Sequence, residues 1–262
     1  MFQQALIWGA LWVFGLVMLA WLWHLHTKNA GWIDVAWALG LGGLAVIYAS
    51  LLPGDPSKRL LIGSLGGLWG LRLGLHLAIR VGRNSQEDGR YRQLRAEWGG
   101  NLEVKFLGFF LFQGVLDLVL ALPFLLALRD PSPLEPLHWI AAALLLGSIG
   151  GEALADAQLE RYKARPGTQG QVFREGLWSL SRHPNYFFEW LAWVAFALLA
   201  LPSPWGWVGF VSPLLILFFL LRVTGIPATE AQALRSKREA YGRYQREVSP
   251  FIPWFPRQRQ TP

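Results

Sequence analysis

The segment LSRHPNYFFEW (180–190) sets Arg182, His183, Asn185 and Glu189 at the edge of a long apolar run. An arginine pairs with anions, an amide both donates and accepts, and a carboxylate accepts. Together they suit the grip of a polar organic cofactor. Pro184 fits the first position of a helix, so Asn185 and Glu189, four apart, share a face. Arg182 then stands just before a helix start, where open backbone N–H groups favour phosphate. The same spacing recurs in Glu152–Asp156, with Gln158 nearby, and in Gln113–Asp117. Asp34 sits alone in GWIDVAW. Charged groups in hydrocarbon are costly and tend to be kept for function. Interhelical hydrogen bonding is the competing explanation for each pair. It weighs most for Gln113–Asp117, whereas a ligand pocket suits the two pairs beside basic loops. The histidines lack zinc-ligand spacing, no serine sits in a nucleophile elbow, and no metal site is expected. With no cysteine at all, disulfides, thiolate metal sites and a cysteine nucleophile are excluded.

The elements that must position these groups are membrane helices. The 262-residue chain is 53% hydrophobic and only 16% charged, too apolar for an ordinary soluble domain. Apolar stretches lie near 3–24, 29–51, 60–81, 105–128, 137–157, 185–201 and 204–226, each near the roughly 20 residues needed to cross a bilayer. The expectation is an all-α integral membrane protein of seven transmembrane helices, one domain over 1–262. The first stretch has no basic lead or cleavage site and reads as a retained span. With the amino terminus outside, Lys28, the 80–105 loop, the 161–182 loop and the tail after Arg222 fall inside, leaving Lys58, Arg59 and Arg129 outside. The +7 charge is then mostly topology, attractive to anionic lipid, with no nucleic-acid module and no obligatory protein partner evident. The tail 229–248 has Ala, Leu and Tyr at helical spacing among charges and predicts a cytoplasmic amphipathic helix. The stretch 81–101 predicts a short surface helix, and 159–186 a structured loop. RPGTQGQ in that loop offers glycines where backbone can approach a phosphate. His24 and His26 are expected at the interface beside tryptophans.

These same residues carry a family likeness. IDVAWALG, EDGRY, FQG, ADAQLERYK, GLWSLSRHPNYFFEW and YGRYQREVSPFIP together resemble the bacterial branch of the steroid 5-alpha-reductase family over nearly the whole chain. The GLWxxSRHPNYxxE string with DxQ upstream is the specific part. The resemblance implies a seven-helix reductase of the bacterial inner membrane. Its NADPH would enter from the cytoplasm and be held mainly by 80–105 and 150–262, and a lipophilic enone would enter from the bilayer.

Carried over residue by residue, Glu152, Asp156, Asn185 and Glu189 match positions around the nicotinamide, within the motif that also holds His183 and Tyr186. Lys163, Gln171, Asp88, Arg90 and Tyr91 match positions for phosphates and adenosine ribose. Arg165 and Arg182 are added on electrostatic grounds. Glu230 stands where the animal enzymes have histidine. In the nicotinamide grip, Glu189 would accept from the carboxamide and Asn185 would donate to it. Hydride transfer to an enone builds charge on its oxygen, which needs a hydrogen-bond donor. The family's acid in the second span corresponds to Asp34, expected as a buried, protonated donor. The family's tyrosine position holds Leu77, so His76 is the nearest polar replacement. Membrane isoprenylcysteine methyltransferases share an RHPxY string followed by Glu and an amphipathic tail. They bind S-adenosylmethionine, which has no phosphates for the basic loops to meet. A non-catalytic lipid-binding scaffold leaves the intramembrane acids unexplained.

Overall fold

A computed structural model of the chain describes residues 1–83, 86–168 and 170–256. Among these residues the regular structure is helical: α1 (Phe2–Thr27), α2 (Trp32–Leu51), α3 (Pro56–Arg83), α4 (Gly89–Trp98), α5 (Leu102–Leu120), α6 (Leu122–Arg129), α7 (Pro136–Lys163), α8 (Pro184–Ala200), α9 (Val211–Phe218) and α10 (Ile226–Glu247). Six helical runs are long and apolar enough to cross a membrane: 2–27, 32–51, 56–83, 102–129, 136–163 and the run that begins at Gly206. The seventh expected span, α8, has 17 residues, about 26 Å at 1.5 Å per residue. The expected surface helix is α4, and the expected tail helix is α10. The described residues group into two compact units, Met1–Ala142 with Phe196–Ser212 and Ala143–Ala195 with Pro213–Pro262.

In the first unit α2 and α3 approach at backbone distance. A Cβ added to Gly70 would lie 2.5 Å from the Gly42 Cα and 2.7 Å from the Ala38 carbonyl oxygen. Small residues permit this in hydrocarbon, where van der Waals packing drives helix association. The expected fourth span is two helices. Pro123, second in α6, has no N–H and cannot continue a helix from α5. The Ser212 hydroxyl donates to the Leu120 carbonyl at that break, 3.0 Å away. A buried ion pair, Lys58–Asp130 at 2.7 Å, joins the start of α3 to the end of α6. His24, expected at the interface, is instead fully buried. It packs on Phe106 and its Nε2 meets Glu103 at the start of α5 at 3.2 Å, while its Nδ1 has no hydrogen-bond partner among the described residues.

In the second unit, α7 leads into a loop strapped back along its own end. Gly176 takes φ +57°, and a Cβ there would strike the Gln158 amide at 2.6 Å. Gln158 Oε1 accepts the Leu177 N–H at 3.0 Å, and the Trp178 indole donates to the Ala155 carbonyl at 2.9 Å. The DxQ and GLW strings are thus the two halves of one junction, which delivers the chain to Pro184. The apolar run of α9 gives way to the charged α10 after a π-helical turn at Phe219–Val223.

Candidate functional site

The acids of α7 and the polar residues of α8 meet, as the family likeness implies. Asn185 Nδ2 donates to Asp156 Oδ1 at 3.3 Å, and Glu152 lies buried one turn before Asp156. Gly151 lets the Phe188 ring lie directly on α7, since a Cβ would come within 2.5 Å of it. Glu189 Oε1 accepts the Trp193 indole N–H at 2.9 Å. The Asn185 Oδ1 is buried and has no hydrogen-bond partner among the described residues. Such an oxygen costs free energy unless a donor reaches it. Asn185 is therefore arranged to accept, the reverse of the donor role expected for it: its NH₂ is committed to Asp156.

Beyond the end of α7 the loop gathers positive charge. Lys163 is exposed and pairs with Glu160 at 2.9 Å, while Arg165 reaches Glu175 at 3.3 Å. Gln171 donates to the Gly167 carbonyl, and Gly167 and Gly170 both take positive φ. Lys237 of α10, which the motifs do not single out, donates to the Gln171 carbonyl at 2.5 Å. Burial, and then the charge of Lys163, lower the Lys237 pKa from its ordinary value. A half-buried ammonium facing a second positive charge marks a place where an anion would be stabilised. No sequence signal marks Lys237; in the structure it interrupts the tail helix, with φ −138° and ψ 33°.

The RHPNY string turns to the tail. Arg182 Nε meets Glu230 Oε1 at 2.6 Å, and Arg182 Nη1 donates to the Val248 and Gln245 carbonyls at 2.6 and 2.9 Å. The His183 Nε2 approaches the same Glu230 oxygen at 3.2 Å, and its ring stacks on Tyr186. Tyr186 hydrogen-bonds Thr229, while Tyr241 and Gln245 donate to Glu230 from further along α10. Burial alone would raise the Glu230 carboxyl. Hydrogen bonds from His183, Arg182 and Gln245 outweigh it and hold the pKa at about 2. Arg182 and Glu230, expected to contact cofactor, thus spend their polar atoms on each other and on the tail backbone. Arg182, at 8% exposure, clamps the tail, which packs against the helix start where a phosphate was expected.

In the first unit, Asp34 lies in the first turn of α2 and is an acceptor throughout. The Tyr91 hydroxyl donates to its Oδ1 at 2.6 Å, Arg90 to its Oδ2 at 2.9 Å, and Arg80 stands 3.6 Å away. Two guanidinium groups and a hydroxyl face it, so where a donor to substrate was expected, every described contact of Asp34 is made as an acceptor. Tyr91 is 3% exposed. Burial, then the Asp34 charge, push its phenol well above its usual pKa. Tyr91 thus keeps its proton, and its hydroxyl is turned to Asp34 instead of to a ribose. Asp88 caps α4, accepting from the Arg90 N–H at 3.0 Å and its Nε at 3.1 Å. Glu87 accepts the Ala30 N–H at 2.7 Å, so EDGRY is tied into the start of α2. His76 is half-buried on α3, one turn from Arg80 and so on the same side of that helix.

Residues 20–248 match the family described as protein of unknown function (DUF1295). The chain belongs to this family. The match spans every element from the end of α1 through α10, and so includes the Asp34 cluster, the α7–α8 polar face and the tail clamp of this DUF1295 member. No curated protein and no solved structure matches the chain.

Proposed function

We propose that the chain is an NADPH-dependent reductase acting on the C=C bond of a lipophilic α,β-unsaturated ketone, such as a 3-oxo-Δ4 steroid. The observation that carries this reading is the buried, unpartnered Asn185 Oδ1. It is an acceptor suited to the NH₂ of a nicotinamide carboxamide, on a helix whose polar face also holds Glu189 and faces Asp156. The likeness of GLWSLSRHPNYFFEW and ADAQLERYK to steroid 5-alpha-reductases supports it, and so do the mutually repelling Lys163 and Lys237 beside the glycine loop. In this reading α8 is a seventh crossing, the amino terminus is outside, and α10 lies on the cytoplasmic side of a bacterial inner membrane.

NADPH, when bound, supplies the hydride from C4 of its nicotinamide. Asn185 accepts from the carboxamide, held in orientation by Asp156, and Glu189 lies one turn deeper on the same helix. Lys163, Lys237 and Arg165 balance phosphate charge, Gln171 orders the loop that carries them, and Lys163 and Lys237 favour a 2′-phosphate. Arg182, His183, Tyr186 and Glu230 fasten the tail that brings Lys237 to the loop. In the first unit the proton-bearing groups around Asp34 are the Tyr91 hydroxyl and the Arg80 and Arg90 guanidinium groups. Tyr91 or His76 is the candidate to donate to a developing enolate oxygen.

Titration of the detergent-purified protein with NADPH, NADH and S-adenosylmethionine tests the reading. NADPH should bind far more tightly than NADH, and Lys163→Gln with Lys237→Gln should narrow that preference. Equal affinity for the two nucleotides would overturn the phosphate assignment. Binding of S-adenosylmethionine alone would assign the α7–α8 face to a methyl donor.

A further inference from the structure

The segment after α10 is apolar, rigid and outward-facing. SPFIPWFP (249–256) carries three prolines at intervals of three, each fixing its own φ. It is held along the chain that leads into α8. Arg182 N donates to the Ser249 carbonyl at 2.8 Å, Ser181 Oγ to the Phe251 carbonyl at 2.8 Å, and Trp254 N to the Leu180 carbonyl at 2.9 Å. Phe251 turns inward, its ring centroid 5.7 Å from Phe187 and 5.8 Å from Trp190 in the first two turns of α8. The segment therefore lies level with the point where an apolar helix begins. Ile252, Trp254 and Phe255 face the other way, 60%, 70% and 79% exposed. Three large apolar side chains pinned in an exposed position need a covering, and their level in the fold is that of the membrane–water boundary. Tryptophan and other aromatic rings are favoured there. The exposed Arg238, Arg243 and Arg246 give the last turns of α10, the helix that leads into this segment, a positive charge, which selects a negatively charged surface.

We propose that Ile252, Trp254 and Phe255 form a fixed foot inserted among the anionic phospholipids of the leaflet that α8 enters, so that those lipids hold the tail in its docked position. The foot and the Arg182–Glu230 clamp share a backbone: Arg182 donates its N–H to Ser249 and its Nη1 to Val248. Lipid bound at the foot therefore stabilises only the state in which the clamp is closed, by mass action. This holds whether or not the cofactor is NADPH, because it depends only on the tail.

The chain has no cysteine, so Phe255→Cys and, separately, Trp254→Cys each give a single site for a nitroxide label. Each labelled protein is placed in nanodiscs of phosphatidylcholine alone or mixed with phosphatidylglycerol, and the collision of the label with oxygen is compared with that of a water-soluble nickel chelate. Both labels should meet oxygen more readily than the chelate. Phosphatidylglycerol should also raise the unfolding temperature of the wild type, and Arg238→Gln/Arg243→Gln/Arg246→Gln should abolish that rise. The proposal is overturned if the chelate collides more readily, which places the segment in water. It is equally overturned if both reagents are excluded with spin–spin broadening, which assigns the covering to a second copy, or if the unfolding temperature ignores phosphatidylglycerol.

Discussion

Arg182 and Glu230 lie 48 residues apart in sequence, yet the guanidinium Nε and the carboxylate Oε1 are 2.6 Å apart. Both side chains are nearly buried, at 9% and 13% exposure. Around them, His183, Tyr241 and Gln245 complete the carboxylate, and two tail carbonyls complete the guanidinium. Removing one member of such a pair leaves the other charge buried alone. Arg182→Ala should cost about 3–5 kcal/mol of stability. Glu230→Gln, which keeps the shape and leaves Arg182 its carbonyl partners, should cost about 1–3 kcal/mol. Thermal unfolding in detergent, with hydrogen exchange over 226–248, measures both. Equal and negligible losses would show that the clamp is ornamental to the fold.

Acid should open the same clamp within a defined window. The Glu230 pKa is about 2 in the folded chain against 4.5 for the ordinary group. A depressed carboxyl contributes stability that is fully present above the ordinary value and is lost as pH falls through the folded value. Exchange protection of α10 should thus hold at pH 5 and above, then decline from about pH 4.5 towards pH 2. Glu230→Gln should flatten this decline while leaving the slope of unrelated helices unchanged.

Asp34 separates two chemical roles by a single isosteric change. A protonated acid that donates to substrate would be replaced well by an amide. An acceptor held between Tyr91, Arg90 and Arg80 would not. Asp34→Asn and Asp34→Leu should therefore lose turnover to a similar degree, on the order of a hundredfold or more, measured as reduction of a 3-oxo-4-ene steroid. Substantial turnover by Asp34→Asn alongside an inactive Asp34→Leu would restore the donor role.

Tyr91→Phe and His76→Phe distinguish the remaining donors. Loss of the group that meets the enone oxygen should lower turnover by two to three orders of magnitude, about the effect of deleting an oxyanion donor, with NADPH affinity retained. Loss of the other should leave turnover near the wild-type level. Unfolding temperatures read beside the kinetics separate either effect from damage to the Asp34 network.

Asn185→Ala should drop turnover by about a hundredfold through misplacement of the nicotinamide, with little change in unfolding temperature. The reason is that its Oδ1 makes no hydrogen bond within the described chain, so only the long Nδ2–Asp156 bond of 3.3 Å is given up. A large drop in unfolding temperature with normal kinetics in the surviving protein would make the residue helix glue.

What was legible in sequence depends on neighbours along one helix: Pro184 does begin α8, and 81–101 and 229–248 do hold helices. The Asn185–Asp156 contact came only through the family likeness, and the Gln158–Gly176 junction had no sequence signal. What escaped detection were partners far along the chain. Nothing local in RHPNY says that Arg182 will meet Glu230 instead of a phosphate, because a buried cation attracts either. Likewise GWIDVAW places Asp34 at a helix start but is silent on Tyr91, 57 residues away. Pro123 is visible inside an apolar run, yet hydropathy does not register the break between α5 and α6, which still lie within one candidate span, 102–129.

The parallel bridge between Ser181 and Ser249 has a consequence for biosynthesis. During translation Arg182 is made 48 residues ahead of Glu230, an interval of about 2–10 s at common elongation rates. For that time a guanidinium destined for burial waits at the mouth of a helix already suited to the bilayer, its acceptors still unmade. Chaperoning by the insertion machinery, or by lipid phosphate standing in for the absent carboxylate, is most valuable in that interval. A stop codon anywhere before residue 230 would make the wait permanent.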